Sequence, residues 1–590
     1  MIQRRSITRR SYRAVGTACK LINPWLYTDS RYSVSTTAIP AVTSSGQPVL
    51  ILREGASQNR GKEAQRNNIA AAKLIAEIVK TSLGPRGMDK MLVDSLGDVT
   101  ITNDGATMLK EIDVQHPAAK MLVEVSKTTD NEVGDGTTSA VIFAGALLEK
   151  AEELLDKDVH ATVIVDGYSK AAKKAADALE AVAEKVKPDD RTWLIKVART
   201  SMQTKLVSRE AGQLAELVVD ATLAVAEKTE KGYKVDIDNV KVEKKPGGSL
   251  KDTKLIQGIV LDKEVVHSGM PKRIENAKIA LASAPFEIEK TEFDAKLNIN
   301  DPSMMKKFLD EETKMLRSMV EKMTSVGATV VICQKGIDDI AQHYFAKAGI
   351  LAVRRAKESD MTKLARATGA RVVNNFEDLS AADLGYAAVV EERKVEEDKW
   401  VFIEGCKNPK AVTLLLRGGT QRIVDEGERS LHDALMVTKD VMERPAIVAG
   451  GGAAEAEAAY QVMKWAEKLS GREQLAAQKF AEALESIPIA LALNAGLDPI
   501  DAQVEFRAKH AEKGTWYGIE ASDGKIKDMF QREVFEPLTV KVQMIKSATE
   551  AASMILRIDD VIAAGKSKGP SGPPGGGAGG GMGEGGGEFD

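Results

Sequence analysis

The stretch NEVGDGTTSAVIFAGALL, at residues 131–148, combines residue types that could bind a phosphate group. Gly134 and Gly136 allow a tight backbone turn, and Thr137, Thr138 and Ser139 supply hydroxyl groups where a buried apolar helix would begin. The first amides of a helix are unpaired and carry a partial positive charge. An oxyanion held there meets hydrogen-bond donors and a favourable dipole, so the stretch has the outline of a phosphate site.

Asp135 lies in the middle of this turn. A carboxylate beside a bound phosphate would be repelled unless a divalent cation lay between them. If phosphate binds here, Asp135 is therefore predicted to be a Mg²⁺ ligand. The alternative is an ordinary loop, because Asp-Gly turns followed by threonine are common in proteins.

Two similar loops precede this one. Apolar residues at helical spacing over residues 62–83 predict a helix that stops at the Gly-Pro-Arg-Gly sequence of residues 84–87. LVDSLGDVTITNDG then alternates like a strand or a hairpin and ends at Asn103-Asp104-Gly105, where ATMLKEI predicts another helix. Three glycine turns at helix ends, so close in sequence, favour one shared site.

Composition limits the classes of protein. A chain of 590 residues suggests about three or four domains. Its 82 basic and 86 acidic residues give a net charge of −4, which predicts no nucleic-acid partner. Three scattered cysteines argue against a disulfide framework or a zinc site and favour a reducing compartment. Since no apolar run reaches about 18 residues, no membrane contact is expected.

The two ends of the chain differ from the rest. Residues 1–47 are basic and rich in Ser and Thr, which is typical of an organellar transit peptide and fits equally well an extension outside the folded protein. Residues 566–590 are mostly glycine and cannot form a core. Both segments are predicted to be disordered.

In the middle of the chain the predicted secondary structure changes from helices to alternating strands and helices. Helical patterns cover 161–186 and 192–226, and the second carries a polar interruption in which Lys205 is a candidate phosphate sensor or a solvated lysine at a helix end. From 255 to 417 short strands alternate with helices and predict a separate α/β domain: KIALASA, ATVVICQ, ILAVRRA, RVVNNF and AVTLLLR. Inside it, 291–323 is charged and methionine-rich, which fits either core packing or an adaptable binding surface.

A further helix is predicted over 426–442. It carries Asp433 beside apolar neighbours, where a carboxylate is usually structural. The sequence VAGGG, ending at Gly452, is a fourth glycine turn before a helix. PLTVKVQ then predicts a strand and RIDDVI a helix. The common phosphate-loop, zinc-protease and hydrolase motifs do not occur in this sequence, and the dinucleotide-binding motif does not occur after a predicted strand.

Taken together, SLGPRGMDK, TNDGAT, VGDGTTS, SLHDAL, VAGGGA and VFEPLTVK resemble, in this order and at these separations, the chaperonin family. The resemblance runs from about residue 46 to the glycine-rich tail. It is greatest to the group II branch, with archaeal thermosome subunits as the first match and the eukaryotic cytosolic chaperonin as the second. The segment 291–323 lies where that branch carries a helical protrusion that serves as a built-in lid.

The resemblance implies a multidomain, helix-rich α+β chaperonin fold. A helical equatorial domain would combine 48–188 with 448–565, a small intermediate domain 189–258 with 414–447, and an α/β apical domain would span 259–413. Identical or homologous subunits would form two stacked rings around a chamber for unfolded client proteins. ATP hydrolysis would close the lid, and the expected compartment is the cytoplasm.

The resemblance also implies the roles of individual residues. Asp135 would hold Mg²⁺, while Asp104 and Asp433 would flank the γ-phosphate, with Asp433 acting on the attacking water. Lys205 would sense the nucleotide and Glu536 would hydrogen-bond the ribose. The remaining ATP contacts are expected from Leu83, Gly84, Pro85, Gly105, Gly136, Thr137, Thr138, Ser139 and Gly452.

Two other functions compete with a folding chamber. A small-molecule phosphotransferase using the same loops would need a polar pocket within 259–413, where the sequence offers a methionine-rich surface instead. A ring protein with an inactive nucleotide site would not need the three acids Asp104, Asp135 and Asp433, all of which are present.

Overall fold

The computed structural model describes residues 40–42, 48–50, 57–230, 232–288, 302–406, 410–512 and 514–563. The disorder predicted for 566–590 and the first part of the predicted protrusion lie outside these residues. Within 1–47 only Pro40–Val42 are described, and they form a strand. The chain divides into two compact units, residues 1–64 with 559–590, and residues 65–558.

Sixteen α-helices lie in the described residues. In chain order they are α1 (Gly61–Lys80), α2 (Gly105–Glu111), α3 (Pro117–Val133), α4 (Thr137–Leu155), α5 (Ala161–Val182), α6 (Arg191–Gln203), α7 (Ala211–Val225), α8 (Pro302–Ser325), α9 (Asp339–Lys347), α10 (Glu358–Thr368), α11 (Gln421–Glu443), α12 (Ala453–Ala466), α13 (Gly471–Leu484), α14 (Ser486–Ala495), α15 (Pro499–Ala511) and α16 (Leu538–Leu556).

The strands of the described residues are mostly short. They are β1 (Pro40–Val42), β2 (Pro48–Leu50), β3 (Ser57–Arg60), β4 (Lys90–Val93), β5 (Val99–Thr102), β6 (Glu184–Lys185), β7 (Ala226–Thr229), β8 (Gly232–Val235), β9 (Val240–Pro246), β10 (Lys254–Ile256), β11 (Gly258–Leu261), β12 (Arg273–Ala282), β13 (Val330–Cys333), β14 (Leu351–Val353), β15 (Val372–Val373), β16 (Gly385–Val395), β17 (Asp398–Glu404), β18 (Val412–Gly418), β19 (Ala446–Ala449), β20 (Tyr517–Glu520), β21 (Lys525–Asp528), β22 (Phe535–Pro537) and β23 (Asp560–Ala563).

The smaller unit contains two antiparallel strand pairs. β1 pairs with β2, and β3 pairs with β23. The Gly61 amide donates to the Asp559 carbonyl at 2.6 Å, next to the second pair. The two ends of the described chain are therefore tied together by backbone hydrogen bonds.

The larger unit has three main hydrophobic cores, and the first is helical. This helical core is built around α4, whose residues from Ala140 to Ala144 are each at most 3% exposed because the helix is apolar on all sides. Phe480 of α13 packs edge-on against Phe143 and Tyr168, with ring centroids 5.4 and 5.7 Å apart. The core draws on α1 to α5 and on α12, α13 and α16, so two distant chain segments fix the position of α4.

The second core, here called the sheet core, lies in residues 259–411. Its sheet has the strand order β11-β17-β16-β12-β13-β14, and β15 also pairs with β12. β12, β13 and β14 are parallel and are connected through α8 and α9, while β16 and β17 are antiparallel to their neighbours. The strands predicted at KIALASA, ATVVICQ, ILAVRRA and RVVNNF are confirmed as β12 to β15.

The third core, the middle core, packs α6, α7 and α11 against a three-stranded sheet of order β10-β18-β9. β18 contains the sequence AVTLLLR, which was expected among the strands of the α/β domain. It pairs instead with β9 in parallel and with β10 antiparallel. Val412, Leu414 and Leu416 point into the middle core, so this strand belongs to a different layer from β12 to β15.

Two predicted elements at the end of the chain are wrong. PLTVKVQ was predicted as a strand, but residues from Leu538 onward form helix α16. Its apparent alternation depended on treating Lys541 as solvent-facing, whereas this lysine is buried in ion pairs. RIDDVI was predicted as a helix, but Asp560–Ala563 form β23 and pair with β3.

A helix long and apolar enough to cross a membrane does not occur among the residues that the structure describes.

Candidate nucleotide site

Helix α4 begins at the glycine turn singled out in the sequence. Gly134 follows α3 with a φ of 68°, and Gly136 precedes α4 with a φ of 76°. Both values lie in the left-handed region that glycine tolerates best. Among the described residues no side chain caps the start of α4, so its first amides remain free to bind an anion.

The second acidic turn lies directly against the first. Asp104 caps α2 by accepting a hydrogen bond from the Thr107 amide at 2.7 Å, and its other oxygen accepts from the Thr137 hydroxyl at 3.1 Å. A Cβ added at Gly105 would lie 2.6 Å from Thr138 Oγ1 and 2.9 Å from its backbone. Gly105 therefore allows the starts of α2 and α4 to meet, which brings two of the predicted loops together.

The loop at residues 83–87 forms a third side of the same site. Gly84 has a φ of 81°, and a Cβ added there would clash with Leu491. The Asn494 side chain donates to the Leu83 carbonyl at 2.8 Å and to the Lys80 carbonyl at 3.0 Å. These bonds hold the loop against α14, a helix for which no role in binding was predicted.

Lys205 and Asp433 form a buried ion pair in the same site. They are 8% and 6% exposed, so the solvated lysine considered from the sequence is wrong. The Asn103 side chain donates to the Thr204 carbonyl at 2.5 Å and thereby ties the Lys205 segment to the Asp104 turn. The Asp433 carboxylate, 228 positions away along the chain, depends on the fold for this contact.

The fourth glycine turn, at residues 450–452, lies beside β22. A Cβ added at Gly452 would lie 2.9 Å from Pro488 Cβ, and one added at Gly450 would lie 2.7 Å from Glu536 Oε1. Neither position has room for a larger residue. Gly450 therefore permits close packing against Glu536, which β22 holds opposite Val448, and Gly452 permits close packing against α14.

These loops surround one cavity of about 200 Å³. The predicted site residues that line it are Leu83, Gly84, Pro85, Asp104, Asp135, Gly136, Thr137, Thr138, Ser139, Lys205, Asp433, Gly452 and Glu536. Gly105 does not line the cavity but packs immediately behind it, against Thr138.

The charges around the cavity suit a divalent cation bound together with phosphate. Asp104, Asp135 and Asp433 all line it. The negative charge in this region also affects neighbouring Asp130, because burial and then the charge of Asp104 raise the pKa of Asp130 to about 6. The described residues contain no cluster of three or more metal-binding side chains. The carboxylates that line the cavity are the kind of ligand that Mg²⁺ takes in proteins, usually one or two of them with phosphate oxygens and water completing the shell.

Several cavity residues were missed by the sequence analysis. Glu455, Asn494 and Lys541 line the cavity, as does Arg86, whose guanidinium donates to the Ala521 and Ser522 carbonyls at 3.0 and 2.9 Å. Lys541 lies inside VFEPLTVK but was assigned to a strand. Asn494 lies in the apolar stretch IPIALALNAGL, which contains none of the motifs considered in the sequence.

Comparison with known proteins gives a consistent result. Residues 75–566 match the profile of the TCP-1/cpn60 chaperonin family. Thermosome subunit alpha of Archaeoglobus fulgidus is 58% identical over 533 residues, which cover 90% of this chain and 98% of that protein. A thermosome subunit of Pyrococcus horikoshii is 58% identical over 88% of this chain and 95% of that protein, and one of Methanopyrus kandleri is 57% identical over 89% and 96%.

Proposed function

Because the chain belongs to the TCP-1/cpn60 chaperonin family and is therefore an ATP-driven protein-folding chaperone, we propose that the cavity at the start of α4 is its ATPase centre. The observation that carries this proposal is the convergence of four glycine turns, three within residues 83–139 and one at 450–452, on one cavity lined by Asp104, Asp135 and Asp433. An inactive nucleotide site would have no need for three carboxylates around a helix start.

We further propose the domain arrangement of a group II chaperonin. The equatorial domain would combine 48–188 with 448–565, the intermediate domain 189–258 with 414–447, and the apical domain 259–413 would carry its protrusion at 291–323. The helical, middle and sheet cores support this division, because they draw on closely similar ranges. Such subunits would assemble in the cytoplasm into two stacked rings that enclose unfolded client proteins, without nucleic-acid or membrane partners.

In the proposed reaction the triphosphate of ATP lies at the amide end of α4. The unpaired amides and the hydroxyls of Thr137, Thr138 and Ser139 bind its oxygens, and the loop at 83–87 covers the other side. Mg²⁺ held by Asp135 would neutralise charge that develops on the phosphate oxygens. The nucleotide is thereby fixed with its γ-phosphate near Asp104 and Asp433.

Asp433 orients the attacking water and accepts its proton, while Asp104 flanks the γ-phosphate from the neighbouring turn. The buried Lys205 ammonium holds the Asp433 carboxylate in place. Because Lys205 and Asp433 come from the two parts of the middle core, a change at the γ-phosphate would be transmitted to that core. This gives hydrolysis a physical connection to closure of the chamber.

The test is the isosteric substitution Asp433→Asn, which removes the proton acceptor with little change in volume. Single-turnover hydrolysis should fall by at least about 100-fold, while ATP affinity measured by calorimetry should change little. Asp135→Ala, measured alongside, should lose affinity only when Mg²⁺ is present. Asp425→Asn is the matched control, since Asp425 lies on the same helix and pairs with Lys244 outside the cavity.

Unchanged hydrolysis in Asp433→Asn would remove this residue from the reaction. If Asp135→Ala and the wild type bind ATP with equal affinity in the presence of Mg²⁺, Asp135 is not the Mg²⁺ ligand.

A further inference from the structure

Helix α6 ends immediately before Lys205, and a residue from another part of the chain completes its C-terminus. Thr204 caps α6 and lies past its last regular turn, where helix carbonyl groups lack amide donors. The Asn103 side chain donates to the Thr204 carbonyl at 2.5 Å from 101 positions earlier in the chain. This bond therefore joins the end of α6, in the middle core, to the turn before α2, in the helical core.

The Asn103 amide has one orientation that fits this contact. Its NH₂ group must face the Thr204 carbonyl, because the side-chain oxygen would place two acceptors against each other. Asn103 is 9% exposed. It lies between Thr102, whose hydroxyl accepts from the Asp104 amide at 3.1 Å, and the Asp104 cap of α2. The donor is thus held by burial and by a turn that is itself hydrogen-bonded.

The backbone around Lys205 is held on both sides. The Lys205 amide donates to the Met202 carbonyl at 3.2 Å, and the carbonyl group that precedes Lys205 is the one that Asn103 binds. Lys205 then continues in an extended conformation, with φ −120° and ψ 171°, and its ammonium pairs with Asp433. The direction of this side chain therefore depends on a peptide that Asn103 fixes.

The two acids proposed to flank the γ-phosphate lie on opposite sides of this bond. Asp104 caps α2 of the helical core, whereas Asp433 lies on α11 of the middle core. Their separation decides whether the attacking water is aligned, and a misplacement of about 1 Å can cost about 100-fold in rate. Asn103 precedes Asp104 directly and reaches the Lys205 segment, so its bond sets the position of one acid relative to the other.

We propose that Asn103 is a positioning residue for ATP hydrolysis. It fixes the backbone before Lys205, and Lys205 in turn holds the Asp433 carboxylate. The resulting separation of Asp433 from Asp104 aligns the attacking water with the γ-phosphate. This inference rests on the proposed function, in which Asp433 acts on that water. Loss of the Asn103 bond should lower the rate of hydrolysis and leave ATP affinity nearly unchanged.

The experiment uses Asn103→Asp, because a carboxyl group has nearly the same shape as the amide but donates a hydrogen bond only when it is protonated. Single-turnover hydrolysis and calorimetric ATP affinity are measured from pH 8 to pH 5.5 beside the wild type. At pH 8 hydrolysis should be at least about 10-fold slower than in the wild type, with ATP affinity within about threefold.

At pH 5.5 the donor should return. Burial and the negative charge of Asp104 favour the protonated form of the introduced carboxyl, while the charge of Lys205 opposes it. The rate of Asn103→Asp relative to the wild type should therefore recover at least about threefold between pH 8 and pH 5.5. A purely structural role would not produce this recovery at constant ATP affinity.

Other titratable groups near this segment are present in every variant: Asp104, Asp130, Lys205, Glu426 and His432. Asn103→Ala corrects for their titration, since it lacks the donor at any pH and should remain slow throughout. Asn374→Asp is the matched control. Asn374 accepts from the Ser283 hydroxyl at 2.5 Å, which a carboxylate does equally well, so this variant should hydrolyse ATP as the wild type does.

Thermal melts at each pH establish that the variants are folded. Should Asn103→Asp fail to fold at pH 8, Asn103→Ala carries the test through its slow hydrolysis at unchanged affinity. Hydrolysis at the wild-type rate in either variant would overturn the inference. So would a rate of Asn103→Asp that follows Asn103→Ala at every pH, or a loss of ATP affinity as large as the loss of rate.

The outcomes also separate this inference from the proposed function. If Asp433→Asn is inactive while both Asn103 variants hydrolyse ATP as the wild type does, only the positioning role fails. If Asp433→Asn hydrolyses ATP at the wild-type rate, both proposals fail.

Discussion

Asp440 lies on α11 two turns beyond Asp433, and its carboxyl group is buried without a salt bridge in the described structure. It is 6% exposed, and its Oδ2 has no hydrogen-bond partner among the described residues. Burial raises the pKa of Asp440 from 3.8 to about 7. The positive charge of Lys439 offsets part of this rise, and the negative charge of Glu443 adds to it. In contrast to Asp433, which pairs with Lys205, Asp440 has no salt bridge in the described residues, and the charges of Lys439 and Arg444 offset its burial only in part.

Asp440 therefore makes stability depend on pH. Because its pKa is higher in the folded state, the folded protein keeps a proton that the unfolded chain has already released, so its contribution to stability falls as pH rises from about 4 to about 7. Asp440→Asn, which cannot ionise, should be more stable than the wild type at pH 8, by roughly 2–4 kcal/mol, and similar to it at pH 4.

Thermal melts at the two pH values measure this difference. Asp425→Asn on the same helix serves as the control and should show little dependence of this kind, since its carboxylate is about one-third exposed and ion-paired with Lys244. A melting temperature of Asp440→Asn that stays equal to the wild type at pH 8 would contradict the prediction.

At the scale of elements, the site depends on how closely helix starts approach one another. α2 and α4 meet at Gly105, where any side chain would meet the backbone of Thr138. The backbone at this point cannot yield without moving the amides that are proposed to bind phosphate. Small residues at such contacts are therefore part of the binding site although they need not touch the ligand.

Gly105→Ala should lower ATP affinity at least about 10-fold and destabilise the protein by about 1–3 kcal/mol, because the added methyl group displaces the start of α4. Gly212→Ala is the matched control. Gly212 lies in the first turn of α7, where an added Cβ would meet nothing within 4 Å, so the change should be neutral or slightly stabilising. Calorimetry and a thermal melt report the two effects, and ATP affinity in Gly105→Ala equal to that of the control would contradict the prediction.

At the scale of the whole molecule, α8 divides into two halves with different surroundings. Leu316, Val320 and Met323 are at most 3% exposed and belong to the sheet core, whereas Phe308 and Leu309 are 45% and 54% exposed. The side chains of Met304 and Met305 lie outside the described residues. Core packing and an adaptable surface, the two alternatives weighed for the methionine-rich segment, thus apply to different parts of one helix.

In the proposed lid, the exposed apolar side chains of α8 would contact neighbouring subunits or client when the chamber is closed. Replacing residues 291–313 with a Gly/Ser linker should therefore abolish protease protection of a bound unfolded client. It should spare ATP hydrolysis, because the proposed ATPase centre lies outside the sheet core. Protection is measured with ATP and a transition-state mimic in both forms. A linker variant that shields client as well as the intact protein would refute the built-in lid.

The linker must end before Leu316. Extending the replacement to residue 323 would remove three buried side chains from the sheet core, at about 2–5 kcal/mol each. Such a variant serves as the control for misfolding, because it should lose thermal stability whereas the shorter replacement should not.

The sequence by itself determined the features that depend on neighbouring residues. The starts of α2, α4 and α12, the hairpin of β4 and β5, and the strands β12 to β15 follow from glycine turns and local hydrophobic periodicity. These signals are local because a positive φ, a helix cap and a period of two or 3.6 residues involve only a few consecutive positions. The ordered motifs also indicated the family that the comparisons show.

Tertiary structure alone decided which distant residues meet. Lys541 reads as a polar position in an alternating strand, but Glu455 and Glu536 supply the charges that allow it to be buried on a helix. AVTLLLR has the same local pattern as β12 to β15, and only its pairing with β9 and β10 places it in another layer. Lys205 likewise forms its ion pair with Asp433 only in the folded chain. Burial of a charge or an apolar strand depends on long-range partners, and no local pattern in the sequence specifies them.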